Sequence, residues 1–347
     1  MARSAFVLGG TGFVGRAIAR RLVEVGWDVT VGSRGATKVP EEVAAACRCV
    51  TLDRARDDDV KRALGEGADV FVDVIPYERR DAEQLLGLKS LVGSIVAISS
   101  ASVYADDQGR SLDTIPTRGY PHLPSPIPET QLTVAPGDDT YSTKKAAIEE
   151  MLLSQSELVA SILRPCAIYG PGDTLCREWF FVKRALDRRP HVLLAYRGKS
   201  IFHTTSVHNV AELVRLVAED PRTRVLNCGD PDPPDVLRIA RRLAEMIGHE
   251  WTEILVPPER SQESFIRNPW ATPWPFVVDM TKAKDELGYQ PVTTYDEAIA
   301  ETVGWIRRVA SPNEWKQALA RAADYLGERF DYDAEDAFLR SDGELGM

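Results

Sequence analysis

The sequence predicts an α/β protein: a doubly wound parallel sheet with helices on both faces, followed by a smaller, mixed C-terminal domain for a substrate. Three observations predict it. Short apolar runs alternate with helical patterns up to residue 165, the order that a parallel sheet requires. A glycine cluster, Gly9-Gly10-Thr11-Gly12-Phe13-Val14-Gly15, stands between the first apolar run and the first helical pattern. After Pro171 the rhythm changes to longer helical patterns with only short apolar runs between them.

The elements follow in order. Residues 5–8 form a compact apolar run, and 13–25 place Val14, Ile18, Leu22 and Val25 at helical spacing. Further strands are expected at 28–31, 48–52, 68–75 and 94–99, with helices at 41–46, 58–64 and 81–91. A helix over 141–154 and a strand at 158–165 continue the alternation. Between them and the fifth strand lies a loop-rich stretch, 106–137, where Pro116, Pro121, Pro124, Pro126, Pro128 and Pro136 exclude a long regular element. Beyond it, helices are expected at 177–186, 207–218, 234–247 and 295–309, and strands at 193–196, 224–227 and 253–256. Ser311-Pro312 precedes a last helix at 313–326 and an acidic tail. The domain reading is 1–170 for a nucleotide-binding domain, with 202–228 returning to it. Residues 171–201 and 229–310 form the substrate domain, and 311–347 a helical extension that packs on its own subunit or on a partner.

A hydrophobic content of 44% and a charged content of 27% are those of a globular protein with ample core. The net charge of −10 argues against a nucleic-acid partner, which calls for a basic stripe. No apolar run approaches membrane-spanning length and the N-terminal run is too short for a signal peptide, so no membrane partner and a cytoplasmic location are expected. Five scattered cysteines form no metal-ligand pairing, and the five histidines show no ligand spacing. No metal is expected.

The glycine cluster implies a phosphate. Glycine permits close approach of backbone to ligand, and a helix N-terminus offers unpaired N–H groups and a positive dipole end. Its place in a β-α-β unit marks a Rossmann-type domain, with Gly9, Thr11, Gly12, Phe13, Val14 and Gly15 against a dinucleotide. The second strand runs into Val31-Gly32-Ser33-Arg34-Gly35, with no acid before Glu41 to hold a ribose 2′-hydroxyl. Ser33 and Arg34 offer donors suited to a 2′-phosphate, so NADP(H) is favoured over NAD(H). Asp53 either meets the adenine amino group or caps the turn that follows it.

Ile98-Ser99-Ser100-Ala101-Ser102-Val103-Tyr104 ends the fifth strand, at the sheet edge where ligands bind. Tyr141 opens a helix, and Lys145 follows it four residues later on the same helical face; Lys144 does not. A free phenol, with a pKa of about 10, is too weak a base near neutrality. A neighbouring ammonium favours the phenolate, so serine, tyrosine and lysine together can move a proton while a nicotinamide gives or takes hydride.

Together these residues resemble the extended short-chain dehydrogenase/reductases, the NAD-dependent epimerase/dehydratase branch. The matching stretches are G-G-T-G-F-V-G, I-S-S-A-S-V-Y, Y-S-T-K-K, I-L-R-P-C-A-I-Y-G-P-G-D at 162–173 and F-V-V-D-M-T-K-A-K-D-E-L-G-Y-Q-P at 276–291. The resemblance covers about 4–310. It implies Ser100 as hydroxyl partner, Tyr141 as acid/base and Lys145 as its activator. It also implies that Pro165 to Ile168 lie near the nicotinamide, with Ser99 and the fourth-strand exit at Val74 and Ile75 on the cofactor side. Homodimerisation is a family expectation.

Departures narrow the substrate. Ala101 and Ser102 stand where sugar 4,6-dehydratases carry an acid pair, and Phe202 stands where many nucleotide-sugar enzymes carry an arginine. Arg197 is a candidate replacement, and Trp179, Phe180 and Phe181 are candidate pocket walls, as are Trp270, Trp274 and Phe276. The expected function is NADP-dependent oxidoreduction of a carbonyl or secondary alcohol, in a small molecule that includes sugars. An NAD-dependent sugar or nucleotide-sugar epimerase is the alternative, and a non-catalytic nucleotide-binding or RNA-associated relative the third.

Overall fold

The computed structural model describes residues 3–35 and 39–344; the two ends of the predicted segments, 1–2 and 345–347, lie outside the described residues, as do 36–38. Contacts divide the chain into two units. The first comprises Met1–Ile168, Thr205–Pro231 and Val278–Thr294, the second Tyr169–Thr204, Asp232–Val277 and Tyr295–Met347.

The first unit is built on a seven-stranded, wholly parallel sheet. In chain order the elements are β1 (Ser4–Leu8), α1 (Phe13–Glu24), β2 (Asp28–Ser33), α2 (Glu41–Ala46), β3 (Arg48–Thr51), α3 (Asp57–Leu64), β4 (Ala68–Asp73), α4 (Arg79–Leu86), β5 (Val92–Ile98), the helix Tyr141–Leu153, and β6 (Ala160–Pro165). The strand Arg224–Cys228 adds an edge beside β6, so the order is Arg224–Cys228, β6, β5, β4, β1, β2, β3. The order in which successive strands are laid down reverses between β1 and β4, which opens a crevice at their C-terminal ends.

Side-chain alternation sorts these strands onto two cores. Val7, Val31, Val72 and Val96 pack with Ile18 and Leu22 of α1 and with Val210 and Val214 of the helix Val207–Glu219. Phe6, Leu8, Phe71 and Ile95 pack on the other face with Val60, Leu64, Leu85 and Ile148. The Phe6 and Phe71 rings stack at 5.1 Å between centroids. Both faces are covered, which is why β1 and β4 read as continuous apolar runs rather than alternating ones. The structure ends β4 at Asp73, two residues earlier than the apolar pattern suggests, because Val74 and Ile75 leave the ladder to line the turn.

The segment 278–294 belongs to this first unit, not to the substrate domain where the sequence placed it. Asn209 ties it there: its Nδ2 donates to the Thr293 carbonyl at 2.9 Å, and its Oδ1 accepts from the Val292 amide at 2.8 Å. The Tyr289 hydroxyl donates to the Asn209 carbonyl at 3.1 Å.

The second unit packs the helices Trp179–Leu186, Val236–Ile247 and Tyr295–Val309 with a parallel strand pair, His191–Leu194 and Thr252–Leu255. The C-terminal extension is part of it. Trp315, Leu319 and Leu326 join the same apolar core, with the Trp315 ring 5.6 Å from that of Trp179. The helix expected at 313–326 starts only at Ala320, and a further helix, Tyr332–Glu344, occupies the acidic tail. Arg184 and Glu335, each 1% exposed, pair inside this unit and bind that helix to Trp179–Leu186.

Candidate active site in the first unit

Every predicted cofactor residue and all three predicted catalytic residues lie in the first unit, at strand ends, in the turns that follow them, or in the opening turns of α1 and of the helix Tyr141–Leu153. The glycine turn comes first. Gly9 has φ +84°, a left-handed conformation that costs a glycine nothing. A β-carbon on Gly15 would sit 2.2 Å from the Gly9 carbonyl oxygen, and one on Gly10 would sit 2.6 Å from Val31 Cγ1. The loop is therefore pressed against α1 and β2 with no room for side chains. Helix α1 starts from Gly12 with no side-chain cap and no acidic residue in its first turn. Its leading N–H groups have no acceptor within the helix, and Thr11 and Phe13 flank the opening. This is a fit for the pyrophosphate of a dinucleotide.

At the end of β2, the Ser33 hydroxyl accepts from the Gly35 amide at 3.4 Å, and Arg34 is exposed. Asp53, left open between two roles, makes the turn cap: its Oδ1 accepts from the Ala55 amide at 3.0 Å. Val74 and Ile75 lie against the glycine turn, with Ile75 Cγ1 3.3 Å from where a Gly9 β-carbon would be. Pro165 is buried at the end of β6, and Ile168 is half-buried beyond it.

Thr140 caps the helix Tyr141–Leu153. Its hydroxyl accepts from the Thr143 amide, while Thr143 Oγ1 accepts from the Thr140 amide at 2.9 Å, a reciprocal cap that fixes the first turn. Tyr141 is 47% exposed, and Lys145, 2% exposed, lies beneath it with Nζ 5.7 Å from the centre of the Tyr141 ring. The ammonium donates to the Pro76 carbonyl at 2.6 Å and to the Ile98 carbonyl at 2.9 Å. Burial pushes its pKa down to about 8, against the pull of the Asp73 and Glu149 carboxylates. Lys144 turns away and sits 3.8 Å from Glu78. Ser100, at the end of β5, is half-buried and its Oγ accepts from the Ser102 amide at 3.1 Å.

Ser99 corrects the sequence reading. It is 5% exposed and its hydroxyl donates to Glu149, so it faces the interior rather than the cofactor crevice. The backbone past β5 stays extended at Ser100, and adjacent side chains on extended backbone point opposite ways, so Ser100 faces away from the Ser99–Glu149 side. Glu149 in turn holds Arg164 through contacts of 3.1, 3.2 and 2.5 Å. The Arg164 guanidinium covers the Tyr104 ring at 4.9 Å, and the Tyr104 hydroxyl donates to Asn227 at 2.7 Å. The sequence reading missed this network. Its signals were a glutamate one further turn along the Tyr141–Lys145 face and an arginine inside an otherwise apolar strand.

In the second unit, Trp179 is fully buried, as are Phe180 and Phe181, so none of the three is an open pocket wall. Their side chains fill the unit's own core, where Phe181 stacks on Trp270 at 6.0 Å. Arg197 is exposed on a turn where Tyr196, Arg197 and Gly198 all have left-handed φ, of 53°, 57° and 69°. Phe202 stacks on Phe276 at 5.0 Å, an apolar pair where the resemblance led one to look for a guanidinium.

Comparisons with known proteins agree with this fold. The family described as the NAD dependent epimerase/dehydratase family matches residues 5–229. An uncharacterized protein of Escherichia coli is 28% identical over 196 residues, 48% of this chain and 57% of that one. A decarboxylating sterol-4-alpha-carboxylate 3-dehydrogenase of Saccharomyces cerevisiae is 26% identical over 212 residues, 52% of this chain and 58% of that one. The chain thus spans little more than half the length of these two curated relatives. Among solved structures, a UDP-glucose 4-epimerase with UDP-glucose from Thermotoga maritima superposes with a TM-score of 0.66 at 20% identity, over 88% of this chain and 99% of that one.

Proposed function

The chain belongs to the NAD dependent epimerase/dehydratase family, and from that premise we propose that it oxidises a secondary alcohol or reduces a carbonyl, with net turnover of a nicotinamide cofactor. The observation that carries the reading is the buried Lys145 ammonium, 5.7 Å from the centre of an exposed Tyr141 ring at a strand-end crevice. A nicotinamide dinucleotide bound along the glycine turn supplies or accepts the hydride. Tyr141 gives its phenolic proton to the carbonyl oxygen in reduction and takes the hydroxyl proton in oxidation. Lys145, charged below about pH 8, stabilises the phenolate so formed. Ser100 donates a hydrogen bond to the same oxygen and holds it in line.

NADP(H) is the proposed cofactor, because Arg34 and Ser33 stand where an acid would select NAD(H). The name of the yeast relative favours a dehydrogenase over an epimerase, and the apolar Phe202–Phe276 pair speaks against a pyrophosphate-bearing substrate. The test is oxidation of NADPH and NADH across a panel of ring ketones and sugar ketones. Consumption of NADPH with one class of ketone is expected, and Arg34→Ala is expected to weaken NADPH selectively. A tightly retained NAD with no net turnover would replace this reading by the epimerase one.

A further inference from the structure

We propose that Arg54 is a positioning residue for the acid–base pair, acting through the turn that joins β4 to α4. This rests on the reading of Tyr141 and Lys145 given above. Arg54 follows β3, and its side chain is only 15% exposed. Its Nη1 donates to the Ile75 carbonyl at 2.8 Å and to Asp73 Oδ1 at 3.1 Å, while Nη2 donates to Asp73 Oδ2 at 2.9 Å. Its Nε lies 3.0 Å from Asp81 Oδ1. One planar guanidinium thus holds the last residue of β4, a carbonyl inside the turn, and the first turn of α4.

The two carboxylates carry the grip further. Asp73, fully buried, accepts from the Ile75 amide at 3.0 Å. Asp81 accepts from the amides of Tyr77 at 2.6 Å and Glu78 at 3.0 Å. Gln84 closes the ring by donating to the Arg54 carbonyl at 2.8 Å. Pro76, lacking an N–H, is the residue enclosed by these bonds, and its carbonyl is the shorter of the two acceptors of Lys145 Nζ. The Tyr77 ring lies 5.1 Å from the same ammonium. Holding Ile75 on one side and Tyr77 on the other leaves the Pro76 carbonyl one direction to point. Arg54 touches neither Tyr141 nor Lys145 in this chain of bonds; beyond the effect of burial, its charge also lowers the Lys145 pKa while those of Asp73 and Asp81 raise it, and a lysine at position 54 keeps that charge but not the grip.

A surface arginine in a turn would be replaceable by lysine. Here lysine keeps a cation opposite Asp73 but, with one nitrogen, cannot span Asp73, the Ile75 carbonyl and Asp81. The experiment compares Arg54→Lys and the charge-neutral pair Arg54→Met with Asp73→Asn, in which the asparagine oxygen still accepts from Ile75. In the full chain without cofactor, Lys145 is labelled with trace acetic anhydride as a function of pH and quantified by mass spectrometry against the other lysines. Both variants are expected to melt cooperatively, to raise the midpoint of the Lys145 labelling profile above the wild type's value of about 8, and to move the acid limb of the kcat profile to higher pH. The kcat should fall by up to about a hundredfold, the scale of a displaced catalytic group, with KM changed far less. Wild-type Lys145 labelling in either folded variant overturns the proposal. Because the labelling needs no turnover, it judges Arg54 even if Tyr141→Phe keeps full activity and the reading of the reaction fails.

Discussion

Lys145 Nζ sits 5.7 Å from the centre of the ring of Tyr141, four residues earlier on the same helix, and donates to two backbone carbonyls, with no ion pair to a carboxylate among the described residues. An ammonium held in this way keeps its positive charge beside the phenol ring, which is what the proposed proton transfer requires. Tyr141→Phe removes the proton and leaves the ring, so steady-state kcat should drop by about 10²–10⁴-fold, the usual share of a general acid or base. Unchanged kcat in that variant would falsify the assigned role.

The same lysine predicts a pH effect on stability. Burial lowers its pKa from 10.5 to about 8 in the folded chain. Between those values the unfolded chain holds the extra proton, so stability rises with pH across the window and is flat outside it. Urea midpoints of the wild type should therefore gain on those of Lys145→Met from about pH 8 to pH 10.5. Parallel midpoints would mean that the ammonium is not buried.

Glu149 and Arg164 pair at side-chain exposures of 5% and 6%. Glu149→Ala strands a buried guanidinium and should cost about 3–5 kcal/mol in chemical denaturation, whereas replacing both by Met should cost much less. Equal losses in the single and double variants would show that the pair, not the stranded charge, supplies the stability.

In the second unit, burial and the neighbouring Asp173 charge raise Glu178 from 4.5 to about 7. The folded chain then keeps a proton that the unfolded chain has lost, so stability falls as pH rises through this window. Glu178→Gln should remove that slope, and melting curves of the two proteins should diverge from pH 4.5 upward, the variant gaining, until about pH 7.

Gly15→Ala sets a methyl carbon 2.2 Å from the Gly9 carbonyl. The clash should cost about 1–3 kcal/mol of overpacking and shift the phosphate turn. Fluorescence titration is expected to show dinucleotide affinity lost well before the cooperative fold is; wild-type affinity would rule out the turn as the binding site.

Local patterns carried much of this in advance. The alternation of period-two and period-3.6 segments announced the parallel sheet, the glycines marked the strand-to-helix turn, and four-residue spacing separated Lys145 from Lys144. Each is a property of neighbours in the chain. Family membership and the Rossmann-type sheet agree with that reading.

What the fold alone decided depends on residues far apart in the chain. Arg54 meets Asp73 only because β3 and β4 both end at the C-terminal edge of the sheet, and Arg164 meets Glu149 only because β6 returns beside the helix Tyr141–Leu153. Two adjacent serines were indistinguishable as text, yet burial turned Ser99 inward to Glu149 and left Ser100 at the edge. Trp179 looked like a pocket wall and lies in a core completed by Trp315, from the far end of the chain. Side-chain periodicity reports which face a residue takes, but not what waits opposite that face. That partner is supplied by tertiary packing, since the burial that makes such pairs strong exists only once distant segments have closed around them.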